Sequence, residues 1–297
     1  ISWKRYGGIK LPIIKTSDLT YTYSVGTPFE KTALHGISLT IENGEFLGVI
    51  GHTGSGKSTF VQHLNGLLHP TTGTVTVNGV DISASTEEAK KMRHKVGMVF
   101  QYPEHQLFEE TIAQDIAFGP KNLGLSADDV DERVRDAMKF VGLDYDTYAE
   151  RSPFHLSGGQ MRRVAIAGVV AMDPDFLVLD EPSAGLDPFG REEIFEEIIR
   201  LHKEKGITVI LVSHNMEDIS RMASRLVVLD KGRIVLDGEP MDIFNNHRDE
   251  LQAVGVDVPP VSVTMEYLRE QGLDVSNRVL SVDDAVQAIL EGGSHVK

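Results

Sequence analysis

The sequence contains no cysteine among its 297 residues. Without cysteine the chain cannot form disulfides, thiolate zinc sites or a cysteine nucleophile. The absence also agrees with a reducing compartment, so the cytoplasm is the expected location.

Long apolar runs are missing as well. The longest are Val164–Met172 and Phe176–Leu179, whereas a membrane-spanning helix needs about 18 consecutive apolar residues. Ile1–Arg5 lacks an initiator methionine and a secretory apolar region, and we interpret it as a trimmed tail without functional meaning. The sequence therefore predicts that the chain does not cross a bilayer.

Basic residues are scarce relative to acidic ones. Lysine and arginine number 29 against 44 aspartates and glutamates, which gives a formal net charge of −15. This balance disfavours binding to nucleic-acid phosphates and to anionic lipid. We therefore expect no nucleic-acid partner, and any membrane association must run through a protein.

The overall composition, with 41% hydrophobic and 25% charged residues, is that of an ordinary globular protein. The length suits one large α/β domain with an appendage. Two alternating apolar sets predict an antiparallel β layer near the N-terminus: Leu19, Tyr21 and Tyr23; Ile37, Leu39 and Ile41. Asn43-Gly44 and Asn78-Gly79 are hairpin turn signals within this layer.

The rest of the chain follows a different pattern. Short apolar runs at 176–179, 208–212 and 226–229 predict parallel strands covered on both faces. A helical repeat through Val130, Val134, Met138 and Val141, closed by Gly142, predicts a helical insert. We divide the chain into a main domain of residues 1–240, with a helical subdomain at about 102–170, and a small C-terminal α/β extension of residues 241–297.

A glycine-rich segment after the apolar run Phe46–Ile50 fits the pattern G-x-x-x-x-G-K-[ST]. In this context its backbone N–H groups would cradle phosphates, Lys57 would reach the β and γ oxygens, and Ser58 would bind Mg²⁺. The alternative is a glycine-rich turn with a chance lysine. The predicted nucleotide-binding residues are Gly51, His52, Thr53, Gly54, Ser55, Gly56, Lys57, Ser58 and Thr59.

Asp180 and Glu181 follow an apolar strand, at the end where α/β sheets place ligands. We expect Asp180 to serve the Mg²⁺ shell and Glu181 to deprotonate an attacking water. A strand-end acidic pair can also be a solvated cap, but the phosphate loop upstream favours the catalytic interpretation.

A second phosphate-binding element is predicted at Leu156–Gln160, where Ser157, Gly158, Gly159 and Gln160 begin a helix. Two such elements in one chain make sense if the second completes the site of another subunit. With these motifs the sequence resembles the ATP-binding cassette (ABC) ATPases over residues from about 16 to 238. That resemblance implies a P-loop NTPase (RecA-like) fold with an N-terminal antiparallel β subdomain.

The resemblance also implies individual roles. Gln101 corresponds to the Q-loop glutamine, which couples Mg²⁺ and water to a partner, and Ser183–Asp187 to the D-loop crossing the dimer. His214 corresponds to the switch histidine at the γ-phosphate. Tyr23 corresponds to the aromatic residue that stacks on adenine, although Tyr21 lies on the same strand face.

A narrower resemblance is carried by Gln101–Ile112 and by Asp115–Pro120, which are similar to the Q-loop region of energy-coupling factor (ECF) transporter ATPases. Leu156–Ala171 and Ser183–Pro188 are similar to the second of the two paralogous ATPases of those complexes (the A-prime type). The resemblance implies a peripheral subunit at the cytoplasmic face, a paralogous ATPase partner, a membrane-embedded coupling protein and a substrate-binding membrane S-component.

An apolar stripe of Leu107, Phe108, Ile112 and Ile116 is suited to receiving a helix of the coupling protein. The alternative is that the stripe packs inward on its own subdomain.

The sequence thus favours an ATP-hydrolysing, Mg²⁺-dependent subunit of an ECF-type importer for a vitamin, another micronutrient or a metal ion. The alternatives are another ABC importer, or a soluble ABC ATPase outside transport. Only 100 positions separate Lys57 from Ser157 (157 − 57), which leaves no room for the coiled coil of chromosome ATPases. The extension 241–297 is expected to pair ATPase subunits, with a ligand-sensing regulatory domain as the alternative.

Overall fold

The computed structural model describes residues 12–276 and 278–292; the tail Ile1–Arg5 lies outside them. The strands are β1 (Pro12–Tyr23), β2 (Lys31–Glu42), β3 (Phe46–Ile50), β4 (Thr72–Val77), β5 (Val80–Asp81), β6 (Val96–Val99), β7 (Phe176–Asp180), β8 (Thr208–Val212), β9 (Arg225–Asp230) and β10 (Arg233–Gly238). The helices are α1 (Lys57–Leu64), α2 (Glu87–Arg93), α3 (Ile112–Asn122), α4 (Ala127–Phe140), α5 (Tyr145–Tyr148), α6 (Gly158–Val170), α7 (Pro188–Lys205), α8 (Met216–Met222), α9 (Pro240–Asn246), α10 (Arg248–Ala253), α11 (Pro260–Glu270) and α12 (Val282–Gly292).

The N-terminal layer is an antiparallel sheet in the order β2-β1-β4-β5, as predicted. Asn78 and Gly79 both have positive φ and connect β4 to β5 with Val77 opposite Val80, so that hairpin is confirmed. The hairpin predicted at Asn43-Gly44 is wrong. There the chain leaves the first sheet, and β3 pairs in parallel with β8 and β9 of a second sheet.

The second sheet has the order β10-β9-β3-β8-β7-β6 and is parallel from β9 to β6. Every residue of β3, β7 and β8 is buried, because helices cover one face and the first sheet and α1 cover the other. The predicted P-loop NTPase fold class is confirmed.

The helical subdomain includes α3, α4 and α6. The predicted helix through Val130 and Met138 is confirmed as α4, and Gly142 follows its end at φ +70°. The prediction that the apolar stripe receives a helix of a partner is wrong for three of its four residues. Leu107 is 7% exposed and Ile112 and Ile116 are fully buried, all within the protein's own core.

The burial of Ile112 and Ile116 has a geometric cause. Ile112 and Ile116 lie four residues apart on one face of α3, and that face packs on α6, where a Cβ on Gly168 would come within 4.0 Å of the Ile116 backbone. Phe108 remains 57% exposed and meets Phe118, on the other side of α3, with ring centroids 4.9 Å apart. These two aromatic residues form an exposed apolar patch on the subdomain.

Truncating Ile116 tests this burial. We expect Ile116→Ala to lower the free energy of unfolding by about 2–5 kcal/mol, because it leaves a cavity between α3 and α6. Phe108→Ala is the matched control and should change stability by less than about 1 kcal/mol, since its ring is mostly exposed. Denaturant unfolding of both variants measures the difference. Equal and small losses of unfolding free energy in the two variants would contradict the burial of Ile116.

The C-terminal extension departs from the expected α/β type, because the described residues from 239 to 276 and from 278 to 292 form helices and no strand. Ile243, Phe244 and Leu251 of α9 and α10 pack into the same core as Ile50 of the main domain. A separate small cluster joins α11 and α12: Met265, Val275, Val279 and Ala285. The core thus runs across residue 241, and the division of the chain at that point stays a prediction.

Candidate active site

Three neighbouring strands bring the predicted catalytic segments to one edge of the parallel sheet. Val212 of β8 lies opposite Val49 of β3 on one side and opposite Asp180 of β7 on the other. Because the strands are parallel, the segments that follow them emerge side by side. The phosphate loop, Asp180-Glu181 and His214 are therefore neighbours, although they are far apart in sequence.

The phosphate loop depends on glycines where the chain passes close to other backbone. Gly51 has φ +149°, and a Cβ there would lie 2.2 Å from the carbonyl oxygen of Leu229. Gly56 has φ +105°, and its Cβ would lie 2.9 Å from the carbonyl oxygen of Ala33. Gly56 caps α1 without a side-chain hydrogen bond. The first N–H groups of α1 are thus left to an anion, which is the property that binds phosphate.

Lys57 lies at the centre of the site and is 6% exposed. Its Nζ donates to the carbonyl oxygens of Gly51 at 2.7 Å and His52 at 3.0 Å. Burial lowers the pKa of Lys57, and the carboxylates of Glu181 and Asp180 oppose that shift. The lysine therefore lies within electrostatic reach of both acidic residues.

Ser58 and Asp180 meet in the position expected for a Mg²⁺ site. Burial raises the pKa of Asp180, and the neighbouring Ser58 hydroxyl opposes that rise. A hydroxyl beside a carboxylate supplies the oxygen ligands that Mg²⁺ prefers. Among the described residues no three His, Asp or Glu side chains cluster as a metal site. A Mg²⁺ ion held here would also take ligands from nucleotide phosphates and water, which is how Mg²⁺ is commonly held.

Glu181 and His214 face each other across the ends of β7 and β8. His214 Nε2 lies 3.2 Å from Glu181 Oε1. This carboxylate oxygen is buried and has no hydrogen-bond partner among the described residues. Burial raises the pKa of Glu181 to about 7, against the opposing effect of the His214 backbone N–H. Burial also lowers the pKa of His214, and Lys57 adds to that shift. Glu181 further has φ +51°, a left-handed conformation that is strained for a non-glycine residue.

A cavity of about 520 Å³ opens beside the phosphate loop. Tyr23 lines it, and its hydroxyl lies 3.0 Å from Thr59 Oγ1. Tyr21 instead packs edge-on against His63 at 4.7 Å and joins the core between the two sheets. The geometry thus favours Tyr23 as the adenine residue. Several other residues of this cavity belong to no sequence motif and were not predicted: Lys31, Thr32, Ala33, His35 and Lys231.

A second cavity, of about 560 Å³, contains the other predicted phosphate element. Ser157 caps α6 in a reciprocal pair of hydrogen bonds with Gln160, and a Cβ on Gly158 or Gly159 would meet no atom within 4 Å. Residues 184–187 of the predicted D-loop line the same cavity. None of the residues that the structure describes lines both cavities, so the two phosphate elements of one chain lie in separate pockets.

Gln101 follows β6, the strand next to β7, and is exposed. Nearby lies an ion pair that no sequence motif indicated. Arg162 of α6 is 1% exposed, binds both carboxylate oxygens of Glu104 at 3.1 Å and donates to the Pro182 carbonyl at 2.8 Å. This arginine ties the segment after Gln101 to the residue that follows Glu181.

Residues 34–184 match the family model described as ABC transporter. The energy-coupling factor transporter ATP-binding protein EcfA2 of Clostridium tetani is 53% identical over 278 residues, which cover 94% of this chain and 96% of that protein. The protein of the same name from Clostridium acetobutylicum is 54% identical, with coverages of 93% and 96%.

Solved structures agree. The cbiO1 protein of Clostridium perfringens, described as part of the ABC transporter complex cbiONQ, superposes with a TM-score of 0.71 and 37% identity over 86% of this chain and 98% of its own. A dimeric ATP-binding cassette in a post-hydrolysis state with ADP and phosphate gives a TM-score of 0.68 and 29% identity, with coverages of 77% and 99%.

Proposed function

The chain belongs to the ABC transporter family and, within it, to the ATP-binding proteins of energy-coupling factor transporters, and we propose that its ATPase activity drives uptake of a vitamin, another micronutrient or a metal ion. The observation that carries this proposal is the meeting of the phosphate loop, Asp180-Glu181 and His214 at one sheet edge. No helix among the described residues is long and apolar enough to cross a membrane. We place the subunit at the cytoplasmic membrane face, held there by protein partners, because its relatives are ATP-binding proteins of energy-coupling factor transporters.

In the proposed binding mode the cavity beside Tyr23 receives the adenine, which stacks on that ring. The N–H groups of residues 54–59 and the Lys57 ammonium then hold the phosphates. Ser58, Asp180 and Gln101 would hold Mg²⁺, which neutralises charge on the phosphate oxygens.

We assign proton transfer to Glu181. A carboxyl group with a pKa of about 7 is basic enough to accept a proton from water at neutral pH. His214 lies beside that carboxyl group, and we assign its ring to the γ-phosphate, where it would orient the reacting groups. Gln101 connects this chemistry to the helical subdomain.

We further propose that Ser157–Gln160 act on nucleotide held by a second ATPase chain, which in this family would be a paralogue. The two separate cavities support this arrangement, because one nucleotide cannot occupy both. A solved relative that is a dimeric cassette is consistent with it.

The extension supports pairing of the two ATPase chains through exposed apolar residues of α11 and α12: Val263, Tyr267, Val282 and Val286. Tyr267→Asp should weaken subunit pairing at least about tenfold, because it places a charge in an apolar contact. Gln271→Asp adds the same charge at the end of α11 and is the control. Sedimentation measures both variants; unchanged pairing in Tyr267→Asp would favour the regulatory alternative for residues 241–297.

We place the coupling protein on the exposed pair Phe108 and Phe118 rather than on the buried residues of the predicted stripe. Phe118→Asp should abolish co-purification with the membrane subunits, including the S-component, while ATP binding persists. Phe29→Asp is the control, since Phe29 is 83% exposed in the turn between β1 and β2. Intact complex and uptake in Phe118→Asp would reject this dock.

A further inference from the structure

Glu181 has a backbone conformation that its neighbours must hold in place. Its φ of +51° is unfavourable for a residue with a side chain, and Pro182 after it favours an extended conformation at the preceding residue. The Glu181 N–H donates to the Val212 carbonyl at 3.0 Å, and the Glu181 carbonyl accepts the N–H of Ala184 at 3.1 Å. These two bonds hold the peptide groups on either side of Glu181.

Arg162 of α6 holds the next peptide group along the chain. Its Nη1 donates to the Pro182 carbonyl oxygen at 2.8 Å. Proline has no N–H, so this carbonyl is the one backbone hydrogen-bonding group that Pro182 offers. The Arg162 side chain is 1% exposed, so water has little access to replace it. The bond therefore fixes the chain immediately after Glu181.

Glu104 fixes the orientation of the Arg162 guanidinium. Nε and Nη2 of the arginine lie 3.1 Å from Glu104 Oε2, and Nη2 also lies 3.1 Å from Oε1. A planar guanidinium that binds both oxygens of a carboxylate has little freedom to turn, so its Nη1 stays directed at Pro182. Glu104 belongs to a short 3-10 helix, Pro103–Gln106, which begins just after Gln101 and packs on α6.

The segment that carries Glu104 also borders the cavity of the second phosphate element. Glu104 and Arg162 line that cavity together with Tyr102. The Tyr102 ring lies close to the predicted D-loop, since a Cβ on Gly185 would be 3.5 Å from Tyr102 Cε1. Arg162 therefore lies between this cavity and the residue that follows Glu181.

We propose that Arg162 is a positioning residue for ATP hydrolysis, which through the Pro182 carbonyl holds Glu181 in the conformation that directs its carboxylate at the attacking water. Glu104 holds Arg162 and so links this alignment to the segment that carries Gln101. The proposal rests on the general-base role assigned to Glu181 above. Arg162 acts through Glu181 and contacts no reacting group.

Arg162→Lys tests the alignment, because lysine keeps the charge but lacks the planar fork that binds the Glu104 carboxylate and the Pro182 carbonyl together. We expect kcat for ATP hydrolysis by the assembled complex to fall about ten- to a hundredfold, the scale of a small misplacement of a catalytic group. KM for ATP should change by less than about threefold, since the phosphate loop lies in another cavity. A KM that rises as far as kcat falls would overturn the proposal.

Arg225→Lys is the matched control. Arg225 also binds both oxygens of a carboxylate, that of Asp237, and a backbone carbonyl, that of Thr40. It begins β9, at the opposite end of the parallel sheet from the site. Denaturant unfolding should show a loss of stability in both variants, whereas turnover should fall only in Arg162→Lys. Equal losses of turnover in the two variants would overturn the positioning role.

A second background separates positioning from a general structural effect. In Glu181→Ala no carboxylate is left to align, so adding Arg162→Lys should lower the residual hydrolysis by less than about twofold. A full further fall would show that Arg162 does not act through Glu181; it would overturn the proposal and leave the role of Glu181 intact. Near-normal hydrolysis by Glu181→Ala alone would instead overturn the general-base role, and the positioning role with it.

Glu104→Gln tests the link to the Gln101 segment with a milder change. The amide can accept from Arg162 at one oxygen only, so we expect kcat to fall about three- to tenfold, the scale of one hydrogen bond to a charged group. In the Glu181→Ala background the same change should have no further effect. This variant decides the proposal if Arg162→Lys does not fold. A folded Glu104→Gln protein with unchanged kcat would overturn it.

Discussion

Glu181→Gln is expected to reduce ATP turnover by about 10²–10⁴-fold, the usual contribution of a general base. Glutamine keeps the shape of the side chain but cannot accept a proton. The site is built for that role, because burial raises the pKa of Glu181 to about 7 and His214 lies 3.2 Å away. ATP binding should persist, since Lys57 and the loop N–H groups are untouched. The ATP-bound dimer should therefore accumulate.

The matched control is Glu197→Gln on α7. Burial raises the pKa of Glu197 to about 7 as well, but its carboxyl group lies near Gly142 of the helical subdomain rather than in the nucleotide cavity. This control should retain turnover within a few fold. Phosphate release measures turnover, and sedimentation with ATP measures the dimer. Near-normal ATP hydrolysis by Glu181→Gln would show that Glu181 is not the general base.

The parallel sheet and its site could be predicted because short stretches of sequence determine both. A strand buried on both faces needs a short run of apolar residues, and β7 and β8 have such runs. The phosphate loop can be identified from the spacing of its glycines, lysine and serine. Once the strands are parallel, the acidic pair and His214 must emerge beside it, so the sequence sufficed to bring these residues together.

Local sequence signals gave wrong predictions where contacts between distant segments decide the structure. Asn43-Gly44 and Asn78-Gly79 are the same turn signal, yet only the second joins paired strands. Likewise, the spacing of Ile112 and Ile116 identifies one face of α3 but not whether that face points inward. The close packing of α6 at Gly168 settles the direction, and that contact spans a long stretch of sequence.

The contacts between the phosphate loop and the segment at the end of β9 could not be predicted for a related reason. Asp230 ends β9 and lies 2.9 Å from the His52 ring, and Gly232, in the turn to β10, donates its N–H to the Ser55 carbonyl at 2.8 Å. Neither residue belongs to a motif. They reach the loop only because β9 pairs with β3 in the sheet. Lys231 enters the nucleotide cavity with the same turn.

Gly158→Asp tests whether the second phosphate element acts across a dimer. The substitution should be tolerated within one chain, because a Cβ at this position meets no atom within 4 Å and an acidic residue suits the first turn of α6. Across a dimer the new carboxylate would face the γ-phosphate of nucleotide on the partner. Charge repulsion should then prevent closure and reduce hydrolysis at least about 10²-fold, the scale of losing a transition-state donor.

Two measurements on Gly158→Asp separate action in trans from action in cis. ATP affinity of the isolated chain should match that of the unaltered protein, since its own phosphate loop lies in a different cavity. Hydrolysis by the assembled complex should be lost. Gly158→Ala adds a side chain without charge and should retain most activity, which assigns the loss to the carboxylate. If the affinity of the isolated chain fell as far as its turnover, Gly158 would belong to the chain's own nucleotide site.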